Sequence, residues 1–250
     1  MATHRLTISY DGAPFAGWAA QPGRRSVQGE LEAALARILP EPVSLSVAGR
    51  TDAGVHAWGQ VASFATDAPL PDRLARRLNA VLPREISVLA AEAAADDFDA
   101  RRSARSRTYC YRVLSSPAPS PFERRRVLWR AGRIDREALR ACAAAVVGEH
   151  DFTAFTRTDS EHVRFERVVS RCEWVEAAPA GGHPGSMLCL WIEADAFMRH
   201  MVRVLVGTMI EVGEGARTAE DFALLLSGAP RASAGETAPP DGLYLAAVAY

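Results

Sequence analysis

The run Gly49-Arg50-Thr51-Asp52-Ala53-Gly54-Val55-His56-Ala57 holds the residue types best suited to chemistry in this chain. Asp52 stands two positions after an arginine and two before a glycine. A carboxylate presented on such a loop serves as nucleophile, general base or metal ligand. It also serves as a turn residue bonded to its own backbone. Asp52 and His56 are four residues apart, a spacing that admits a metal pair and hence a metal-dependent hydrolase. No third ligand is nearby, and no metal ligand set is read from the sequence.

Two other residues qualify. Tyr109 leaves the arginine-dense segment Arg101-Arg102-Ser103-Ala104-Arg105-Ser106-Arg107 on a strand pattern. An aromatic ring among arginines suits nucleic acid, the ring stacking on a base while the guanidiniums take phosphates. It equally suits a core tyrosine beside Tyr111. Arg203 lies in a stretch that otherwise looks like a buried helix, Phe197 to Glu211. A buried arginine needs an anionic partner unless it snorkels to the surface. Gly207, one turn further along the same face, would let another backbone approach closely.

The elements that must position these groups follow from periodicity. Leu6, Ile8 and Tyr10 alternate as a strand. Ser26 reads as the N-cap of a helix striped by Val27, Leu31, Ala34, Leu35 and Ile38. Val43, Leu45 and Val47 run into the Asp52 loop, and a strand runs out from Gly59 through Val61 and Phe64. A second helix carries Leu74, Leu78, Val81 and Leu82, and Ile86 and Val88 begin another strand. The order β-α-β-β-α-β is that of a ferredoxin-like unit. Residues 101–250 repeat the theme more loosely. They show a strand through Tyr109, a helix from Asp135, strands over 164–177 and 186–196, the Phe197–Glu211 helix, a short helix with Phe222, and a final strand from Leu243 to Val248. The expected class is α+β, with domains at 1–100 and 101–250.

Composition narrows the partners. The 250 residues suffice for a sizeable core, and 48% hydrophobic with 24% charged residues is ordinary globular usage. No apolar run approaches the roughly 18 residues of a membrane span. The N-terminal residues lead straight into a strand pattern without a signal-peptide core. Cys110, Cys142, Cys172 and Cys189 are too scattered for a zinc or redox motif and read as reduced thiols of a cytoplasmic protein. The net charge of −1 hides an asymmetry: residues 101–140 hold 12 arginines against three acidic residues, and the chain has no lysine. Such a block is an electrostatic footprint for a polyanion.

The residues match a known family in order along nearly the whole chain. The matches are Tyr10-Asp11-Gly12 with Phe15-x-Gly17-Trp18, then Arg50-Thr51-Asp52-Ala53-Gly54-Val55-His56-Ala57 with Gly59-Gln60-Val61. Phe98-x-Ala100-Arg101 with Arg107, Tyr109 and Tyr111 follows, then Gly148-x-His150-Asp151-Phe152, Met201-Val202-Arg203 and Thr237-Ala238-Pro239. The chain thereby resembles the bacterial tRNA pseudouridine synthase A (TruA) family. The resemblance implies two ferredoxin-like halves with antiparallel sheets joined across a central basic cleft, in a homodimer. It implies that tRNA is the partner, and that uridine at positions 38 to 40 of the anticodon stem and loop becomes pseudouridine without cofactor or metal. It gives Asp52 the catalytic role, Tyr109 contact with the target base, and Arg203 the pairing with the catalytic carboxylate. Arg101 and Arg107 would hold the RNA backbone. Arg50 and His56 are candidates for substrate contact, with loop shape as the alternative. Ala19-Ala20 and Pro240 depart from the family pattern in loops. A non-enzymatic RNA-binding module on the same fold would account for the arginines but not for the Asp52 loop.

Overall fold

The computed structural model describes residues 2–158 and 164–250. The chain is of the α+β class and forms two compact units, residues 1–105 with 244–250, and residues 106–243. The first unit contains β1 (Ala2–Tyr10), α1 (Val27–Ala36), β2 (Ser46–Val47), β3 (His56–Thr66), α2 (Leu74–Asn79) and β4 (Ile86–Ala93). The second contains β5 (Ser106–Ser115), β6 (Leu128–Arg130), α3 (Arg136–Val146), β7 (Gly148–Asp151), β8 (Glu166–Ala177), β9 (Ser186–Ala194), α4 (Met201–Gly213) and α5 (Ala219–Leu224). The last strand, β10 (Leu243–Ala249), returns to the first unit and runs parallel to β3, with Tyr244 opposite His56. Sequence order groups this strand with residues 101–250. Its groove is on β3 instead, where the bare backbone of Gly59 receives the Ala246 carbonyl.

In the first unit β1 lies between β4 and β3, antiparallel to both, and β2 pairs antiparallel with β3. Ser26 caps α1 by accepting from the Gly29 N–H, and Val27, Leu31, Ala34 and Leu35 are buried. A leucine taken fully out of water contributes about 1.5–3 kcal/mol, so this stripe suffices to seat the helix. α2 is shorter than the spacing of Leu74 to Leu82 predicts. It starts after Arg73, whose φ of 58° is left-handed, and ends at Asn79. The Asn79 amide there exchanges hydrogen bonds with the Val88 backbone at 2.7 and 2.8 Å, tying the helix end to β4.

In the second unit β9 lies between β5 and β8, and β7 extends β8, all antiparallel. β6 adds in parallel to β5. Asp135 caps α3 through the Glu137 and Ala138 N–H groups, and Leu139, Cys142, Ala143 and Val146 are buried, as the pattern predicts. α4 starts at Met201, later than the pattern predicts, because His200 takes a left-handed φ of 67°. Among the described residues all four cysteines are free thiols, and burial pushes Cys142 up to about 11.

Candidate active site

The Asp52 loop is a tight turn hung between β2 and β3. The Val55 N–H donates to the Asp52 carbonyl at 3.1 Å, and Gly54 takes a left-handed φ of 80°. Asp52 is half-buried, while its neighbours Thr51, Gly54, Val55 and His56 are buried. Arg50 is exposed.

The turn is held by buried polar groups from β1 and β3. The Tyr10 hydroxyl and Thr51 Oγ1 are 2.7 Å apart, and Gln60 Nε2 donates to the Tyr10 hydroxyl at 3.3 Å and to the Gly49 carbonyl at 2.7 Å. Burial pushes the Tyr10 phenol up to about 12, against the opposing pull of its Thr51 and Gln60 bonds. The phenol therefore stays protonated and shares a hydrogen bond with the Thr51 hydroxyl. The Trp18 N–H donates to the Thr51 carbonyl at 3.0 Å, and the Gly54 N–H to the Phe15 carbonyl at 3.4 Å. Two glycines make this packing possible. A Cβ on Gly12 would lie 1.9 Å from the Val55 carbonyl oxygen, and one on Gly17 would lie 2.8 Å from that of Thr51. A buried network whose members are all bonded fixes geometry more firmly than apolar packing does. Tyr10, Thr51 and Gln60 are positioning residues that composition and spacing do not single out. The signal for Tyr10 and Gln60 is a polar side chain at an inward strand position, whereas Thr51 lies in the loop itself.

His56 is 2% exposed and stacks on Tyr244, ring centroids 4.6 Å apart. Its Nδ1 lies 3.0 Å from the Gly12 N–H and 3.2 Å from Asp11 Oδ1. A backbone N–H only donates, so Nδ1 accepts it and carries no proton. The same ring nitrogen lies against Asp11, whose Oδ1 accepts the Ala13 N–H at 3.0 Å. His56 fastens the Asp11-Gly12 turn against the start of β3.

Arg101 and Arg102 are exposed on a turn organised by Asp99. Asp99 Oδ1 accepts the N–H groups of Arg101 and Arg102 at 2.9 and 2.8 Å, and Oδ2 accepts the Ser46 hydroxyl at 2.8 Å. Burial alone would raise the Asp99 carboxyl, but these bonds together hold it below its ordinary 3.8. A carboxyl lowered by folding stabilises the fold fully above its unfolded value and loses that contribution as pH falls through its folded value. Asp99→Ala is accordingly expected to cost about 1 kcal/mol at pH 7. The deficit against wild type should shrink once pH drops below 3.8. Urea unfolding at pH 7 and pH 3 checks this. A deficit equal at both would show that the ionised carboxylate contributes nothing.

The second unit carries the other candidates. Tyr109 sits on β5 opposite Ile192, 9% exposed, its ring edge-on to Phe197 at 5.0 Å. Arg107 Nη1 donates to the Asp195 carbonyl at 2.9 Å at the end of β9. Arg203 is half-buried on α4, and a segment of backbone runs along that helix beside it. The Arg203 carbonyl accepts the Ala238 N–H at 3.0 Å, and Arg203 Nε donates back to the Ala238 carbonyl at 2.8 Å. One turn on, a Cβ at Gly207 would meet the Glu236 carbonyl at 1.9 Å. Thr208 Oγ1 accepts the Gly235 N–H at 3.0 Å, and the Tyr111 hydroxyl donates to the Pro239 carbonyl at 2.8 Å. This explains the close approach expected at Gly207 and gives Thr237-Ala238-Pro239 a physical purpose. The segment engages Arg203 Nε and so restrains the guanidinium. Asp52, Arg50, His56 and Arg101 thus belong to the first unit, and Arg107, Tyr109 and Arg203 to the second. Among the described residues no cluster of three or more His, Cys, Asp and Glu side chains could hold a metal, and no helix is long and apolar enough to cross a membrane.

An α+β chain with a braced carboxylate loop and a restrained arginine matches one family along most of its length. The profile of the tRNA pseudouridine synthase family matches residues 6–101 and 142–250, and the chain belongs to that family. More narrowly, it is similar to proteins named tRNA pseudouridine synthase A. It is 42% identical to that of Rhodopseudomonas palustris strain HaA2 over all of both chains. It is 41% identical to that of Myxococcus xanthus, covering 98% of this chain and 91% of the relative. It is 44% identical to that of Frankia casuarinae, covering 98% and 88%.

Proposed function

We propose that the chain isomerises uridine to pseudouridine in tRNA, at positions 38 to 40, with Asp52 as the catalytic carboxylate. Membership of the tRNA pseudouridine synthase family carries this reading. The braced loop around Asp52 supports the residue assignment, because rigid presentation of one carboxylate is what the chemistry asks of a protein. The proposal extends to two ferredoxin-like halves, residues 1–100 and 101–250, and to a cytoplasmic homodimer. The strand arrangement β4-β1-β3-β2 of the first unit supports the first half.

The reaction breaks the C1′–N1 bond, turns the uracil and joins C5 to C1′. The hydrogen of C5 leaves as a proton and N1 gains one, so electrons balance within the base and sugar. Asp52 acts ionised, whether it attacks C1′, removes a sugar proton or adds to C6. Arg203 is its proposed counter-charge, since a neighbouring cation favours the charged form of a carboxylate. Tyr109 takes the base after it leaves the helical stack, a step costing a few kcal/mol. Arg101 and Arg107 hold the backbone, so affinity falls steeply with salt. Arg50, exposed beside Asp52, is a further phosphate contact. His56 acts through the shape of the loop.

Release of tritium from tRNA labelled at C5 of uridine tests the reading. The expected result is stoichiometric release with a chelator present. No release, or release only with added divalent metal, would refute it. In the same assay Tyr109→Phe is expected within about threefold of wild type and Tyr109→Ala at least about tenfold slower, because the ring supplies the stacking. Equal losses would transfer the role to the hydroxyl.

A further inference from the structure

The arginine block has a second part that the chemistry above does not use. Phe122-Glu123-Arg124-Arg125-Arg126 lies between the two segments matched by the family profile. Its polarity is inverted. Phe122 is 84% exposed, whereas the next residue, Glu123, is buried. Arg112 from β5 grips the Glu123 carboxylate with both guanidinium nitrogens, at 2.9 and 3.0 Å, and donates to the Arg126 carbonyl at 3.3 Å. The Glu123 N–H donates to the Ser120 carbonyl at 3.2 Å and the Arg126 N–H to the Glu123 carbonyl at 3.0 Å. Beyond the turn, Leu128 and Trp129 pair with Val113 and Leu114, and the Trp129 indole N–H donates to the Ser116 carbonyl at 3.0 Å. Arg125 takes a left-handed φ of 60°, a conformation disfavoured for residues with side chains.

We propose that this turn is a second RNA-contact surface, on which Phe122 stacks on an unpaired base of the tRNA and Arg124, Arg125 and Arg126 take the adjoining phosphates. The proposal rests on tRNA being the substrate. The ring is not exposed by slackness: a bidentate ion pair and a strand pairing fasten the turn at both ends, and the carboxylate takes the buried place a phenylalanine would normally fill. An exposed ring held this way can be covered by a base or by another protein surface. All three arginines beside it are exposed, and a two-fold contact between copies of the chain would bring like charges together. A polyanion meets the same surface with complementary charge, and arginine forks suit phosphate.

The test is affinity for full-length tRNA. Phe122→Ala is expected to bind about tenfold more weakly, Phe122→Leu equally weakly, and Phe122→Tyr like wild type, following base–aromatic stacking. The triple change of Arg124, Arg125 and Arg126 to Ala should lower the slope of log affinity against log salt by roughly two. A benzophenone side chain placed at position 122 should cross-link to tRNA on irradiation. Wild-type affinity in Phe122→Ala, or cross-linking only to a second copy of the chain, would overturn the proposal. Tritium release by the wild-type chain reports on the catalytic reading separately, so the two can fail independently.

Discussion

Asp52→Asn is expected to abolish pseudouridine formation, slowing turnover by at least about 10³-fold, while tRNA affinity stays within about threefold of wild type. Asparagine keeps the size and one acceptor oxygen of aspartate but can neither attack C1′, nor take a proton, nor add to C6. Loss of a positioned acid–base group alone costs about 10²–10⁴-fold. The loop should keep its shape, because the substitution leaves in place the bonds through Thr51, Tyr10, Gln60 and backbone groups. Rapid-quench turnover and filter binding on one preparation separate the two effects. A variant that turned over normally would remove Asp52 from the chemistry. One that lost binding and turnover together would make its role structural.

Gly12→Ala is the second large effect. The added methyl would lie 1.9 Å from the Val55 oxygen and 2.4 Å from its carbon. Both are backbone atoms of the Asp52 turn, so no side chain can swing aside. The Gly12 N–H bond to His56 Nδ1 at 3.0 Å would be lost as the strands part. Overpacking of this kind costs about 1–3 kcal/mol. A displacement of about 1 Å at a reacting group costs about 10²-fold in rate. Gly12→Ala should therefore fold, melt earlier and turn over about 10²-fold more slowly. Gly132→Ala, whose Cβ would meet nothing within 4 Å, is the control and should match wild type. Normal turnover in Gly12→Ala would show that the loop is not rigidly coupled to the turn beneath it.

Local chemistry made much of this legible in the sequence. Ser26 and Asp135 announce helix starts because capping needs only the next three residues. The alternation of Leu6, Ile8 and Tyr10 appears directly as buried positions of β1. Gly207 signals a close backbone approach because nothing else explains a glycine on a buried helix face. What stayed hidden depends on distant partners. The Phe197–Glu211 pattern does not reveal that His200 turns left-handed, and β10 gives no local sign that it pairs with β3. The Tyr10–Thr51–Gln60 network joins residues up to 50 positions apart, and none of the three is unusual alone. His56 resembles a ligand in the sequence, and only the Gly12 N–H shows that Nδ1 is occupied. Phe122 reads as an ordinary apolar residue until the burial of Glu123 beside it is seen.

Conversion of uridine to pseudouridine by this chain is proposed to run through Asp52. Site-resolved mapping of pseudouridine in one unmodified tRNA, treated in parallel with wild type and Asp52→Asn at enzyme excess, tests it most directly. Pseudouridine is expected within positions 38 to 40 after wild type and none after Asp52→Asn, with both proteins bound to the tRNA. Pseudouridine formed equally by both, or by neither, would contradict it.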